Sequence, residues 1–365
     1  MEHSKAKVKL LGKYLEKYFN IICNTAHIQQ IHVYDLFCGE GVYKDGSEGS
    51  PIVILNQINN INPIIQNKLG NTIKIHCTFN DNDPKKVEKL QATIKQRNLH
   101  NLHYGDIFFE TKDYKEQCEI ITQKLSKQKK FEKTFIFIDP YGYKHIKINQ
   151  IKSFMVHGNA EVLLWLPTQF MYRFSNNGTP EALKDFISEI FQDFNKWKST
   201  NSVWEFIKQL KEGFKRNLDG VYVDTFTIQK DQNTVFCLFF FTTHIRGFEE
   251  MLETKWEIDT EQGRGWSYIQ SQRGESLFPE EKTNSLEESL TKYLEGTPRS
   301  NVEIYEFTLR EGFLPKHTNE VFSNWQSNNR LEVIPQGAEK VRKGAFYIAY
   351  KYYKDKNKKV IFQMR

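Results

Sequence analysis

The sequence predicts an α/β fold: a mostly parallel sheet with helices on both faces, finished by an antiparallel hairpin and followed by a small winged-helix-like domain. Three observations lead there. Short apolar runs alternate with helical patterns through the first half of the chain, as expected of parallel strands joined by helical crossovers. The runs Val221–Gln229 and Val235–Thr243 are separated by only Lys230-Asp231-Gln232-Asn233-Thr234, a connection that makes a hairpin. Near the end, three short helical patterns precede two strand-like runs.

The elements follow in order. Val8, Leu11, Tyr14, Leu15, Tyr18 and Phe19 recur at helical spacing, which predicts an amphipathic helix over Lys5–Cys23. Val33–Phe37 reads as the first strand and Pro51–Ile61 as a helix. Ile73–Asn80 is the second strand, and the helix Pro84–Arg97 follows it. Leu102–Tyr104 reads as a short third strand ending in Gly105-Asp106, and Tyr114–Lys127 as a helix. Phe135–Ile138 and Glu161–Leu166 are strands four and five. Helical patterns at Pro180–Lys198 and Val203–Asn217 lead into the hairpin, which is the distinctive end of a class I methyltransferase sheet.

Gly263–Asn284 mixes Gly, Ser, Gln and charge and reads as a linker between a domain of residues 1–262 and one of residues 285–365. Beyond it, Ser285–Leu294, Asn301–Glu311 and His317–Asn328 are helical. Arg330–Ile334 and Ala345–Tyr350 read as strands around the loop Pro335–Gly344.

Four strand-end carboxylates carry the functional signal. In Tyr34-Asp35-Leu36-Phe37-Cys38-Gly39-Glu40-Gly41 a strand runs into an acid and Phe-x-Gly-x-Gly. Gly39 and Gly41 permit a tight turn and leave room for a nucleoside ligand to lie against the main chain. Phe37 lines that turn, and Asp35 or Glu40 is placed to meet a cationic amino group. A dehydrogenase fingerprint needs a third glycine that is missing here. Asp81, ending strand two, suits two ribose hydroxyls, while Asp83 caps the helix begun by Pro84. Asp106 is read as accepting from an adenine amino group. Asp139-Pro140-Tyr141-Gly142 ends strand four, where open sheets bind ligands. An exocyclic base amine is a poor nucleophile. A carboxylate and a carbonyl that both accept from it hold the nitrogen in line with an incoming methyl group. Asp139 and Pro140 fit that task, and Tyr141 offers a stacking face. The expectation is S-adenosylmethionine chemistry on the exocyclic amine of a nucleobase.

At this point the chain resembles the three-Cys-motif partner proteins. The resemblance rests on the Tyr34–Gly41 string, Gly49-Ser50-Pro51, Phe79-Asn80-Asp81, Gly105-Asp106 and Ile138-Asp139-Pro140-Tyr141-Gly142. It covers roughly residues 5 to 250 and extends to the winged-helix-like region. It implies a Rossmann-like, methyltransferase-type fold in bacteria or phages, encoded beside a three-cysteine protein similar to radical-SAM enzymes. Phe-x-Gly-x-Gly is shared with adenine-N6 methyltransferases, whose second motif is Asp-Pro-Pro-aromatic. Here Tyr141 comes one residue earlier, which resembles the Asp-Pro-Phe-Gly of tRNA guanine-N2 methyltransferases. Two functions follow as expectations: a methyltransferase acting on RNA or DNA, or a catalytically silent binding module working with such a partner protein in a defence or modification operon.

Composition narrows the classes. A formal net charge of +6 is compatible with a nucleic-acid partner. Lys340, Arg342 and Lys343 in the expected wing are placed to meet phosphates. Cys23, Cys38, Cys77, Cys118 and Cys237 lack Cys-x-x-Cys spacing and read as reduced thiols of a cytosolic protein. His145, His157 and His244 lack ligand spacing, so no metal is expected. Met1–Lys9 is polar and basic, unlike a signal peptide, and no apolar run reaches bilayer length. Met171-Tyr172-Arg173-Phe174 is a weaker candidate for the substrate pocket, and there is no P-loop motif.

Overall fold

A computed structural model describes residues 2–25, 27–69, 73–101, 103–176, 179–191, 200–231, 234–259, 265–267, 284–337 and 341–365. The chain forms two compact units, Met1–His244 with Arg264–Gln272, and Ile245–Gly263 with Arg273–Arg365. The helix Ile245–Ile258 thus belongs with the second unit rather than with the expected 1–262 block. The expected linker 263–284 lies outside the described residues, apart from 265–267 and Asn284.

In the first unit, β1 (Gln30–Asp35), β2 (Lys74–Asn80), β3 (Ile107–Glu110), β4 (Glu132–Ile138) and β5 (Ala160–Leu166) are parallel. Next come β6 (Tyr222–Asp231), β7 (Thr234–Thr242) and the short β8 (Gly265–Ser267). The sheet order is β3-β2-β1-β4-β5-β7-β6-β8, with β7 antiparallel to both β5 and β6. Its first seven strands have the order of a class I methyltransferase sheet, and β8 adds an edge. Burial explains the composition. All of β5 is buried, as are Phe135 to Ile138 of β4, because helices cover both faces of a parallel sheet.

The first helix, α1 (Glu2–Cys23), crosses one face of the sheet. Its Tyr14 ring packs against Phe135 and Phe240, and the Tyr14 hydroxyl donates to Glu161 at the start of β5. Burial pushes the Glu161 carboxyl up to about 7, against the hydrogen bonds from Tyr14 and Thr242.

One strand is corrected. Leu102 lies outside the described residues, His103 and Tyr104 form a turn, and β3 begins after Asp106. Gly105 is there for close approach: at φ +149° its backbone passes Ile75 so closely that a Cβ would lie 2.1 Å from the Ile75 carbonyl oxygen. The edge position of β3 and the 48% exposure of Phe108 hide it in the apolar pattern. Of the Pro180–Lys198 helix, Glu181–Ile190 is helical and 192–198 lie outside the described residues.

In the second unit the helices Asn284–Leu294, Asn301–Arg310 and Pro315–Ser327 accompany an antiparallel sheet. That sheet has the order β10-β11-β9, from β9 (Arg299–Ser300), β10 (Leu331–Pro335) and β11 (Val360–Met364). This is a winged helix, but its second long strand is not Ala345–Tyr350. Phe346 and Ile348 are buried in alternation as in a strand, yet Tyr347 between them sits at φ 54°, which ends extended backbone. The chain continues into the helix Tyr350–Lys354 before β11 begins.

Two glycines separate close approach from turn geometry. Gly105→Ala should cost about 3 kcal/mol or more in urea unfolding. Gly39→Ala, at φ +60° with nothing within 4 Å of a new Cβ, should cost about 1–2 kcal/mol. Equal costs would refute the close passage of Gly105 against β2.

Candidate active site

Parallel strands β1, β2 and β4 deliver Asp35, Asp81 and Asp139 to one edge of the sheet, because β1 pairs in register with both neighbours. Asn80 ties that edge together. Its side-chain amide donates to the carbonyls of Leu36 (3.4 Å) and Lys112 (3.0 Å) and accepts from the Lys112 N–H (3.0 Å). The following loop turns through Gly39 at φ 60° and Gly41 at φ 78°. A Cβ at Gly41 would strike Leu90 at 2.5 Å, whereas Gly39 faces open space. Phe37 is half-buried and stacks on Tyr114 at 5.2 Å, so it supports the turn from below.

Asp81 is buried, and its carboxylate is fully engaged. Gly39 N–H donates to Oδ2 (3.2 Å), Asp83 N–H donates to Oδ1 (3.0 Å), and Lys86 Nζ reaches both oxygens at 3.3 and 3.4 Å. Those contacts use the four acceptor sites of a carboxylate. Asp83 also caps its helix, accepting from Lys85 N–H at 3.0 Å. Lys86 in turn lies 4.9 Å from the Tyr141 ring centre. Burial opposes its charge, but Asp81 and Tyr141 outweigh that and raise its pKa.

Asp139 holds a partner that sequence reasoning missed. Lys7 of α1, itself buried, donates to Asp139 Oδ2 and lies 5.1 Å from the Trp165 ring centre. Burial disfavours the Lys7 charge, but Asp139, the Tyr43 phenol and Asp35 overcome that and raise its pKa. A signal was present: Lys7 stands on the apolar stripe of Leu11, Tyr14 and Tyr18 at helical spacing. A contact across 132 residues was not readable from it.

Asp35 is the unsatisfied member. It is wholly buried; Oδ1 accepts from Phe37 N–H at 3.3 Å, and Oδ2 has no partner. Burial pushes its carboxyl up to about 7; the neighbouring Asp139 adds to that, while the Ser50 hydroxyl, the Phe37 N–H and Lys7 oppose it.

Pro140 is buried, and Tyr141 is 90% exposed, with the Lys86 ammonium over its ring. Two further aromatics escaped the sequence reading as a pair. Phe170 and Phe174, one turn apart on the helix Thr168–Asn176, are 51% and 38% exposed, with ring centres 4.5 Å apart. Phe170 reaches Tyr143 of the Asp139 loop at 6.3 Å, whereas Met171 is in the core.

Asp106 does not join this edge. It stands opposite His76, three register positions before Phe79, about 10 Å from the strand ends. Its half-exposed carboxylate lies 3.1 Å from His76 Nδ1. Among the described residues no three His, Cys, Asp or Glu side chains are grouped as metal ligands would be, and no helix is long and apolar enough to cross a membrane.

A family model for a GMT-like wHTH domain matches residues 257–337. No curated protein matches the sequence. Solved structures similar to this chain include the O-methyltransferase from Bacillus cereus in complex with SAH, 11% identical over 63% of this chain and 80% of that one, with a TM-score of 0.33. The O-methyltransferase TomG from Streptomyces achromogenes, in complex with SAM, is 11% identical over 64% and 79%, with a TM-score of 0.33. A methyltransferase from Pyrococcus furiosus is 11% identical over 63% and 83%, with a TM-score of 0.27. The fold assignment stands on the strand order itself.

Lys7 and Asp139 should behave as one unit in a double-mutant cycle. Lys7→Met leaves a part-buried carboxylate without its cation and should cost about 1–3 kcal/mol. Adding Asp139→Asn should recover a large part of that loss. Strictly additive costs in urea unfolding would show that the pair does not form.

Proposed function

We propose that this chain is an S-adenosylmethionine-dependent methyltransferase acting on an exocyclic amine of a nucleic-acid base. The observation that carries the reading is Asp35: a buried carboxylate with an orphaned oxygen, behind an open glycine turn, at the ligand-binding edge of a sheet with methyltransferase strand order. A buried carboxylate with one oxygen lacking a hydrogen-bond donor favours a ligand that brings positive charge or a donor to it. When bound, the cofactor supplies an electrophilic methyl group on a positively charged sulfur. The open side of Gly39 would give it room against the main chain, and Asp35, once ionised, would offset its positive charge. Asp81 would hold the ribose hydroxyls through the acceptor sites that Lys86 uses here. Asp139 Oδ1 and the Pro140 carbonyl accept from the target amine, while Lys7 fixes the carboxylate through Oδ2. Tyr141, with Phe170 and Phe174, provides exposed faces for an extruded base.

The Lys7–Asp139 contact favours a second reading: a methyltransferase-like binding module, working with a three-Cys-motif partner protein, in which the carboxylate serves as an ion-pair partner of Lys7 rather than as an acceptor. Labelled-methyl transfer to total RNA and DNA decides between them. Under the first reading Asp139→Asn lowers transfer by at least about a hundredfold while leaving cofactor affinity within about threefold. Cofactor binding without transfer by the wild-type protein, with the partner present, selects the second.

Binding should also be linked to pH. The free Asp35 carboxyl has its pKa raised to about 7, and a bound cation lowers it, so binding below that pH expels a proton. Affinity for S-adenosylmethionine should rise with pH, by up to about tenfold per unit, and level off above about 7. Asp35→Asn should flatten the profile. A wild-type profile already flat from pH 5 to 8, on titration calorimetry, would remove Asp35 from the site.

A further inference from the structure

The positive charge of this chain is concentrated in one place. Residues 341–359, between β10 and β11, carry Arg342, Lys343, Lys351, Lys354, Lys356, Lys358 and Lys359 against Asp355 alone. That excess of six equals the +6 of the whole chain, so the rest is neutral in sum. Arg342, Lys343, Lys351, Lys354, Lys356 and Lys358 are all exposed.

The segment is built rather than loose. Asn301, fully buried at the start of its helix, donates to the carbonyls of Tyr347 and Asn357, each at 3.1 Å, and accepts from Lys359 N–H at 2.9 Å. One side-chain amide therefore clamps both halves of the segment. Tyr347 and Lys356 are held in left-handed backbone at φ 54° and 51°, which non-glycine residues adopt only under constraint. Phe346 and Ile348 are buried beneath, with the Phe346 ring 5.6 Å from Phe322 and 6.1 Å from Phe362. Lys358 is faced by Glu303, whose carboxyl it helps hold below its usual range, but the other exposed cations are held together on a fixed scaffold at a cost in self-repulsion, which a polyanion offsets.

The neighbouring helix does not share this character. The exposed residues of Pro315–Ser327 are Lys316, Glu320, Ser323, Asn324 and Ser327, one cation against one anion. The family match also ends at residue 337, before the cationic segment begins.

We infer that residues 341–359 form a preorganised binding site for the phosphate backbone of a nucleic acid, and that this segment, rather than the helix Pro315–Ser327, supplies most of the affinity. A main chain already fixed by Asn301 spares the segment the cost of ordering its backbone on binding, so only the side chains lose freedom. An inserting lipid anchor fits less well, because such segments expose large apolar side chains, and purely electrostatic binding to anionic lipid is separated by the vesicle measurement below. Among the described residues, no exposed large hydrophobic side chain falls in this segment. The Tyr353 ring is turned toward Tyr305 at 5.3 Å, with its hydroxyl on Glu306 at 3.3 Å. The inference deepens the nucleic-acid reading above and takes the partner's class from it, but it involves no methyl transfer.

Fluorescence anisotropy with the full chain, without cofactor, tests it on a labelled DNA duplex, a single strand and an RNA hairpin over a range of KCl concentrations. At least one should bind, with log K falling linearly in log salt. The variant Lys351→Gln/Lys354→Gln/Lys356→Gln/Lys358→Gln should lose about three units of that slope and at least about a hundredfold in affinity at low salt. Lys316→Gln/Asn324→Ala should stay within about threefold of wild type. The inference is overturned if no nucleic acid binds, if phosphatidylserine vesicles bind instead, or if the quadruple variant keeps its affinity and slope. It also fails if the helix variant is the one that loses binding. Each outcome is independent of cofactor binding and of methyl transfer, so the function proposed above stands or falls separately.

Discussion

A lysine ammonium held out of water against Asp139 governs what the carboxyl edge of the sheet can accept. Lys7 arrives from the first helix, whose Tyr14 is anchored on Phe135, Phe240 and Glu161, and the same rigid element carries the ammonium to the ends of β4 and β5. The edge then holds three carboxylates, Asp35, Asp81 and Asp139, facing two ammonium groups, Lys7 and Lys86. Asp81 and Asp139 have their cations. Among the described residues, Asp35 is in no ion pair of its own and shares only the field of Lys7, so burial leaves it at the border of ionisation. Such an edge favours a ligand that brings one positive charge, which is the electrostatic core of the methyltransferase reading.

Much of this was legible in the sequence because it is local. Apolar runs bounded by turn residues gave strands β1, β2, β4 and β5, and Tyr114–Lys127 and Val203–Asn217 form helices over the residues read. Gly39 and Gly41 have the left-handed backbone their motif required, and Asp83 caps the helix begun by Pro84. Lys7 and Lys86 were not legible as site residues. The Lys7 contact depends on how a helix lies across a sheet, and residue spacing encodes only that Lys7 faces inward; Lys86 is only five residues from Asp81, but its position on a polar helix face looks the same as that of a solvated lysine. Asp106 misled for a different reason. Gly-Asp reads as a strand-ending turn, but Gly105 is needed for its missing side chain beside Ile75, and the strand starts only afterwards.

The winged helix shows the same division between local and distant information. Its helices announce themselves through amphipathic spacing and caps such as Ser300 with Glu303. The stretch Ala345–Tyr350 alternates buried and half-buried side chains as a strand would, but a single amide, Asn301, takes the carbonyl that a strand partner would have used. The real partner of β10 lies further on, where Val360 and Phe362 alternate inward. The displaced residues between them carry the chain's excess charge.

The most direct test of the central claim is hydrogen–deuterium exchange of the full chain with and without S-adenosylmethionine, resolved to short peptides. The account predicts added protection in the peptides spanning Phe37–Gly41 and Asp81–Lys86, with a change at the first turns of α1 around Lys7. Protection confined to other segments, or none at saturating ligand, would contradict it.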